Sequence, residues 1–417
     1  MLVVGMLLLV ASQVGAQVYE AENQDASYGV DRRVVDPTAS GGVAVACDKG
    51  VHPGGQYVFA TGYFDTPPGR YRATWRLRTD DVTATAPVIT LDETAPGDLP
   101  YELHVVTLKG TDFAQPNQWQ DFVYEFDRLE QGRVQYRGFW PGAANVVLDK
   151  LTVEKIADFT EQELYDRVVK QYPLPVPPDL PALWKQSRDD KLQVLELTGV
   201  EWQELWQTDQ AAPLVPAQMD SKAWTHNWSS TSVPGEYFPN DYATLFKYDV
   251  VLLTNGDGRR LTAPGRRMLR DFVQQGGGLV VLGGYQSYGK GRLKGSWLEE
   301  VLPVTVGDPW DLRAAESRPV SCPPGTPGLL AMPRTWTPEV LWLHEVTPKP
   351  GAQVVWTAGK RPVLVTGKAG AGWVAAVTAS DLGQPADESL FFCKSEVWPL
   401  MLGRIIRWAG QTACPLG

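Results

Sequence analysis

Two rhythms of apolar residues divide the chain. From Gln17 to Ile156 short runs alternate apolar and polar positions between clusters of Gly, Pro, Asn and Asp. In Gly69–Arg78, Tyr71, Ala73, Trp75 and Leu77 fall on one face, with arginines and Thr74 on the other. Asp121–Asp127 aligns Phe122, Tyr124 and Phe126 in the same way, and Val146–Glu154 gives a last strand. A period of two with one wet face predicts antiparallel strands, and many strands without a helix predict two packed sheets. From Lys191 the strands become continuously apolar, as in Leu192–Leu197, Tyr248–Thr254 and Leu279–Leu282. A helix stands between the last two, with Thr262 as cap, Pro264 in its first turn and Met268, Leu269, Phe272 and Val273 as its stripe. Gly276-Gly277-Gly278 reads as its stop rather than as a phosphate cradle. Further strands at Pro362–Thr366 and Trp373–Thr378 and a closing helix at Trp398–Trp408 complete a pattern that predicts a mainly parallel sheet covered on both faces. Between the two halves, Thr160 and Glu163 form a capping box for a short helix, and Pro173 to Pro181 read as a stiff connector. The expected organisation is a leader over 1–16, an all-β sandwich over 17–156, a helix and Pro-rich linker over 157–190, and an α/β domain over 191–411.

Composition adds compartment and exclusions. The chain has 417 residues, 43% apolar and 21% charged, with a formal charge of −10. That describes a folded multidomain protein, and the acidic balance argues against a nucleic-acid partner, whose phosphates need clustered Lys and Arg. The run Met1–Val10 is too short to span a bilayer, and Val14-Gly15-Ala16 suits cleavage before Gln17; the other reading is a buried N-terminal strand. Secretion or periplasmic export is therefore expected, with no membrane span. Cys47, Cys322, Cys393 and Cys414 are far apart, which leaves no zinc or redox motif but allows one disulfide among the last three. The 16 Trp exceed the ordinary share, but Trp75, Trp119 and Trp140 are the ones in the sandwich, so most belong to the second half.

In the last sandwich strand, an ideal alternation puts Asp149 on one face with Val147, Leu151 and Val153. A buried carboxylate there calls for a cation or several donors. Glu20 and Glu22 project from one side of the first strand. Three hard oxygen donors suit Ca²⁺; the other reading is solvated acids at a strand end. Tyr19-Glu20-Ala21-Glu22, Ala39-Ser40-Gly41-Gly42, the Gly69-Arg70-Tyr71 strand, Trp119, and Leu148-Asp149-Lys150-Leu151-Thr152-Val153 together resemble carbohydrate-binding modules of families six and thirty-five. The resemblance implies a jelly roll, a structural calcium held by Glu20, Glu22 and Asp149, and a carbohydrate partner bound at loop ends. Trp140 and Asn145 occupy a suitable loop before the last strand, where the indole either stacks on a sugar or folds back over the sandwich end.

In the second half, ligands of such a sheet sit beyond the carboxyl ends of its strands, at Thr198, Asn255–Gly258, Gly283–Tyr288 and Ser380-Asp381. No nucleotide-binding glycine motif is present. Tyr248–Leu253, Phe272–Gly278, Leu279–Gly289 and Leu302-Pro303-Val304 resemble the glutamine amidotransferase-like family of class I and trehalose-utilisation type, which implies a flavodoxin-like fold. A working member needs a Cys on the strand-to-helix elbow and a His after a late strand. Tyr285 stands at the elbow, and Ala379-Ser380-Asp381 at the partner position. Tyr285, Ser287 and Asp381 are the weak catalytic candidates; His226 and His344 are conceivable bases, and Glu201, Glu204, Asp257 and Asp381 conceivable carboxylates for glycoside cleavage. Three functions fit: an exported carbohydrate-binding protein with a catalytically defective amidotransferase-like domain, a carbohydrate-active hydrolase working at the rim, or a structural cell-surface module.

Overall fold

The computed structural model describes all residues except 1–15, 25–31, 95–101, 130–131, 185–190, 200–210, 212–216, 224–237, 259–260, 317, 327, 384, 386 and 413–417. Most of the expected leader, together with Glu201, Glu204, His226 and Cys414, lies outside the described residues. The chain folds as two units, Met1–Phe159 and Thr160–Gly417.

The first unit is mostly β. One sheet orders Arg33–Val35, Val43–Cys47, Val146–Ala157, Gly69–Thr79 and Gln120–Arg128, with Gln17–Glu20 also on Val146–Ala157. The other orders Gln56–Ala60, Gly132–Trp140, Pro87–Thr94 and Glu102–Lys109, with Phe64–Thr66 on Gly132–Trp140. One core joins their inner faces, Val45, Trp75, Leu77 and Leu151 from the first meeting Phe59, Ile89, Leu91 and Tyr136 from the second. The Phe59 and Trp75 rings lie edge to face at 4.8 Å.

The alternation through the last strand is broken where a uniform period puts Asp149 inward. Its pairing with Gly69–Thr79 slips between Leu148 and Lys150, a β-bulge at Asp149. Val146, Leu148, Leu151 and Val153 are the core residues, and Val147 is half-buried. The bulge sets Asp149 beside the outward Arg76, 3.0 Å from its guanidinium, yet with no exposed side-chain surface.

The second unit holds an eight-stranded sheet ordered Ala217–Ala223, Leu192–Thr198, Val250–Thr254, Gly278–Leu282, Gly372–Val377, Arg361–Ala369, Gln353–Ala358 and Val320–Ser321. The first five strands pair in parallel. The last three add antiparallel, so the sheet is mixed and the mainly parallel expectation holds for one half of it. The cause is local: Gly359-Lys360 and Gly370-Ala371 are two-residue connections, which join only antiparallel neighbours, and both glycines have positive φ.

Successive residues of each central strand go to opposite faces. Val250, Leu252, Val280 and Leu282 join a core with Met401, Leu402, Ile405 and Ile406 of the helix Trp398–Ala409. Val251, Leu253, Leu279 and Val281 join one with Met268, Leu269, Phe272 and Val273 of the helix Ala263–Gln275. Thr262 caps that helix by accepting from Gly265 N, and Gly276 ends it at φ 131°. The Thr160/Glu163 capping box forms, and its helix Glu161–Gln171 belongs to the second unit. The Pro-rich stretch is extended only in part: Leu180–Trp184 is a helical turn, and Trp184 packs into the second core on Phe272 at 5.5 Å. Trp297, Trp336, Trp356, Trp398 and Trp408 are likewise buried in this unit.

No disulfide joins Cys47, Cys322 or Cys393 among the described residues. Among them, too, no helix is long and apolar enough to cross a membrane.

Glu93 is a costly feature of the sandwich. It pairs in register with the core residue Tyr136 and is 1% exposed, and its Oε2 has no hydrogen-bond partner among the described residues. Arg128 is 3.9 Å away. Burial pushes the carboxyl up to about 7, against the pull of Arg128. A raised folded pKa means that the protonated acid favours the fold, with its contribution complete below the unfolded value and lost as pH rises through 7. Glu93→Gln is therefore expected to stabilise the first unit by up to about 3 kcal/mol at pH 8 and by little at pH 4, read from thermal melts at both.

Candidate functional site

The expected calcium ligands converge on the loop Ala39–Gly42. The Ser40 hydroxyl donates to Glu20 Oε2 at 2.5 Å and lies 2.9 Å from Asp149 Oδ1, which also accepts from Ser40 N at 2.8 Å. A Cβ at Gly41 would stand 2.6 Å from Glu22 Oε1, so glycine lets the loop close on the acids. Glu22 Oε2 is buried without a hydrogen-bond partner among the described residues. These hard oxygens match calcium in chemistry. As placed, the Ser40 hydroxyl and Arg76 take the contacts of Glu20 and Asp149, and no three Asp, Glu, His or Cys groups among the described residues are gathered tightly enough to hold a metal ion.

Trp140 is not on the surface. It is fully buried in the sandwich core, and its Nε1 donates to the Ala144 carbonyl at 2.8 Å, so the indole folds back over the sandwich end and offers no sugar platform. The reason is register: Gly132–Trp140 alternates inward at Val134, Tyr136, Gly138 and Trp140. Asn145 braces loops, accepting from Lys49 N at 2.6 Å and donating to Asp80 at 2.6 Å.

The same alternation places other aromatics outward. Tyr57, Phe139, Thr90 and Thr107 are successive cross-strand partners on the outer face of the five-stranded sheet. Tyr57 and Phe139 meet edge on at 5.4 Å. The Arg137 guanidinium lies 4.4 Å from the Tyr57 ring centre and forms a bidentate pair with Asp92, at 2.8 and 2.9 Å. Two half-buried rings beside a guanidinium fixed by a buried carboxylate, and a hydroxyl row, can take both the apolar face and the hydroxyls of a sugar. The signal in the sequence was the odd-numbered set Gln135, Arg137 and Phe139, which fixes the even set as inward.

In the second unit the carboxyl ends of the parallel strands form one rim, with an elbow at Gly283-Gly284-Tyr285. A Cβ at Gly283 would stand 2.0 Å from the Ala379 carbonyl oxygen, and Gly284 has φ 146°, so the sharp turn requires both glycines. Tyr285 stands at the elbow and its ring faces Lys290, whose ammonium is 3.1 Å from the ring centre. The Ser287 hydroxyl is buried and donates to the Leu282 carbonyl at 2.8 Å, which fixes it as a turn residue. Asp381 is buried, with the Ser380 hydroxyl 3.4 Å away. Burial pushes the nearby Cys393 thiol far up, and the Asp381 charge adds to it, so this is not a reactive thiolate.

His344 is brought to the elbow, a meeting that no spacing announced. Its Nδ1 lies 3.1 Å from Asp311 Oδ2, and its Nε2 lies 3.0 Å from the Gly284 carbonyl and 3.4 Å from Gly284 N. With the proton on Nδ1, Asp311 accepts and Gly284 N–H donates to Nε2; the imidazolium would donate to the Gly284 carbonyl instead. Asp311 also accepts from Gly289 N at 3.0 Å and Lys290 N at 3.3 Å. Both side chains have no exposed surface. This pair fastens the elbow loop, and no thiol or hydroxyl nucleophile takes the place of Tyr285 at the turn.

Asp311→Ala would leave two amides and an imidazole nitrogen short of an acceptor, at a cost of about 3 kcal/mol; Ser287→Ala, which removes one hydrogen bond, should cost about 1 kcal/mol. Urea denaturation of the full chain, followed in the second unit, checks this order; equal losses would contradict the fastening role.

No curated protein matches the chain. Among solved structures, a cytoplasmic protein of Salmonella typhimurium LT2 aligns at 17% identity with a TM-score of 0.44, over 52% of this chain and 99% of its own. A family 6 module from Cellvibrio mixtus lichenase 5A, solved with cellotriose, aligns at 16% identity and TM-score 0.25, over 33% of this chain and 96% of its own. A family 35 module from Clostridium thermocellum aligns at 19% identity and TM-score 0.24, over 33% and 98%. Residues 203–409 match the family model described as "Putative glutamine amidotransferase", and the second unit is a glutamine amidotransferase-like domain.

Proposed function

We propose that this is an exported carbohydrate-binding protein whose jelly-roll first unit holds a glycan and whose flavodoxin-like second unit has no glutaminase activity. The observation that supports it best is the outer face of the five-stranded sheet, where Tyr57, Phe139 and Arg137, the last held in place by the buried Asp92, form a preorganised aromatic and polar surface. Export rests on the leader pattern of residues 1–16, and the glycan class on the motifs shared with families six and thirty-five. The loss of glutaminase chemistry follows from Tyr285 at the nucleophile's turn, since a phenol there supplies no thiolate for acyl transfer.

Binding of neutral oligosaccharides by the full chain is expected to weaken at least tenfold in Tyr57→Ala, with a melting temperature near wild type; Arg137→Ala should weaken it too but also destabilise the first unit, since it leaves the buried Asp92 carboxylate unpaired. Trp140→Ala should instead destabilise the sandwich by about 4 kcal/mol, since it empties a core position. Equal binding by wild type and Tyr57→Ala on a glycan array would overturn the assignment of this face.

Calcium would be held by Glu20, Glu22 and Asp149, and its part is structural: it would neutralise acids that otherwise crowd a neutral hydroxyl. Saturating calcium, about a hundredfold over its dissociation constant, should add about 3 kcal/mol to the stability of the first unit. Chelation should remove that gain in wild type and change nothing in Glu22→Gln. An unchanged wild-type melt on chelation would sink the ion site.

A further inference from the structure

The elbow loop carries two side chains, Tyr285 and Lys290, that meet each other. Tyr285 and Lys290 leave the loop on one side, and Trp310 stands beside them, 70% exposed. The Lys290 ammonium is 3.1 Å from the Tyr285 ring centre and 4.9 Å from that of Trp310, so it lies against both rings. Other basic groups of this region have acidic partners: Lys294 binds Asp308 at 2.7 Å, and Arg313 lies 3.6 Å from Glu345. Among the described residues no carboxylate pairs with Lys290.

The backbone beneath is fixed from both sides by one buried group. Asp311 accepts from the amides of Gly289 and Lys290, and Trp310 precedes Asp311 in the chain. His344 holds Asp311 from below and reaches the elbow at Gly284. Two rings and a cation are therefore carried on loops whose positions are set before any ligand arrives, which lowers the ordering cost of binding. An exposed indole with no packing role is a platform for the C–H face of a sugar, and an unpaired ammonium beside it selects a negative substituent.

We propose that Trp310, Tyr285 and Lys290 form a second saccharide site at the rim of the second unit, selective for sugars that carry a carboxylate. The indole takes the apolar ring face, and Lys290 takes the carboxylate. The site rests on the carbohydrate reading for its ligand class but shares no residue with the face of the first unit.

The test is calorimetric titration of the full-length protein in the Tyr57→Ala background, which silences the first-unit face. The probes are oligogalacturonate and the same oligosaccharide as its methyl ester. The acid is expected to bind at least tenfold tighter than the ester. Adding Trp310→Ala should weaken the acid at least tenfold, and adding Lys290→Gln should bring it down to the level of the ester. Both residues are surface groups, so unchanged melting temperatures must accompany these losses. Equal binding of acid and ester, or a preference that survives Lys290→Gln, would overturn the site. Persistent neutral-sugar binding in Tyr57→Ala would count against the first-unit face and leave the rim site standing.

Discussion

Burial of both faces of the central strands governs the second unit. Val250–Thr254 and Gly278–Leu282 send alternate apolar residues into two separate cores. Functional chemistry is thereby confined to the carboxyl ends of the strands and to the loops above them. The elbow at Gly283-Gly284 exists because the chain must leave a fully covered strand sharply. Its neighbours Asn255 and Ala379 approach so closely that only glycine fits there.

That confinement creates a second requirement, since a tight loop over a buried edge needs its amides satisfied. Asp311 meets it with one carboxylate, and His344 keeps that carboxylate in place. The histidine–aspartate pair beside the elbow makes the contacts of a fastener. The Gly284 backbone occupies Nε2, and Tyr285 stands where a nucleophile would be. The first unit has the opposite economy: its antiparallel sheets bury one face each, so an outer face is left free to carry Tyr57, Phe139 and Arg137.

Much of this was legible in residue order. The change from period-two strands to continuous apolar strands marked the two units, and the caps at Thr160 and Thr262 formed as their sequences indicated. Glu20 and Asp149 meet at the Ser40 hydroxyl, and Glu22 lies against Gly41. Three features escaped. The bulge at Asp149 shifts the phase of a strand by one, which no uniform alternation reveals. Trp140 reads as a loop residue by its Pro-Gly neighbours, although it ends a strand on the inward phase. The meeting of His344, Asp311 and Gly284 depends on tertiary closure between segments far apart in the chain, for which local pattern carries no signal. The antiparallel half of the sheet was readable from its two-residue glycine connections, but the strength of the preceding parallel pattern concealed it.

The proposed function requires recognition of a polysaccharide without its cleavage. Affinity electrophoresis of the full-length protein through gels containing embedded polysaccharides, with each polysaccharide recovered and assayed for new reducing ends, tests it most directly. Retarded migration is expected in at least one polysaccharide, with that polysaccharide recovered intact. Unretarded migration in all of them, or new reducing ends in the one that retards the protein, would contradict it.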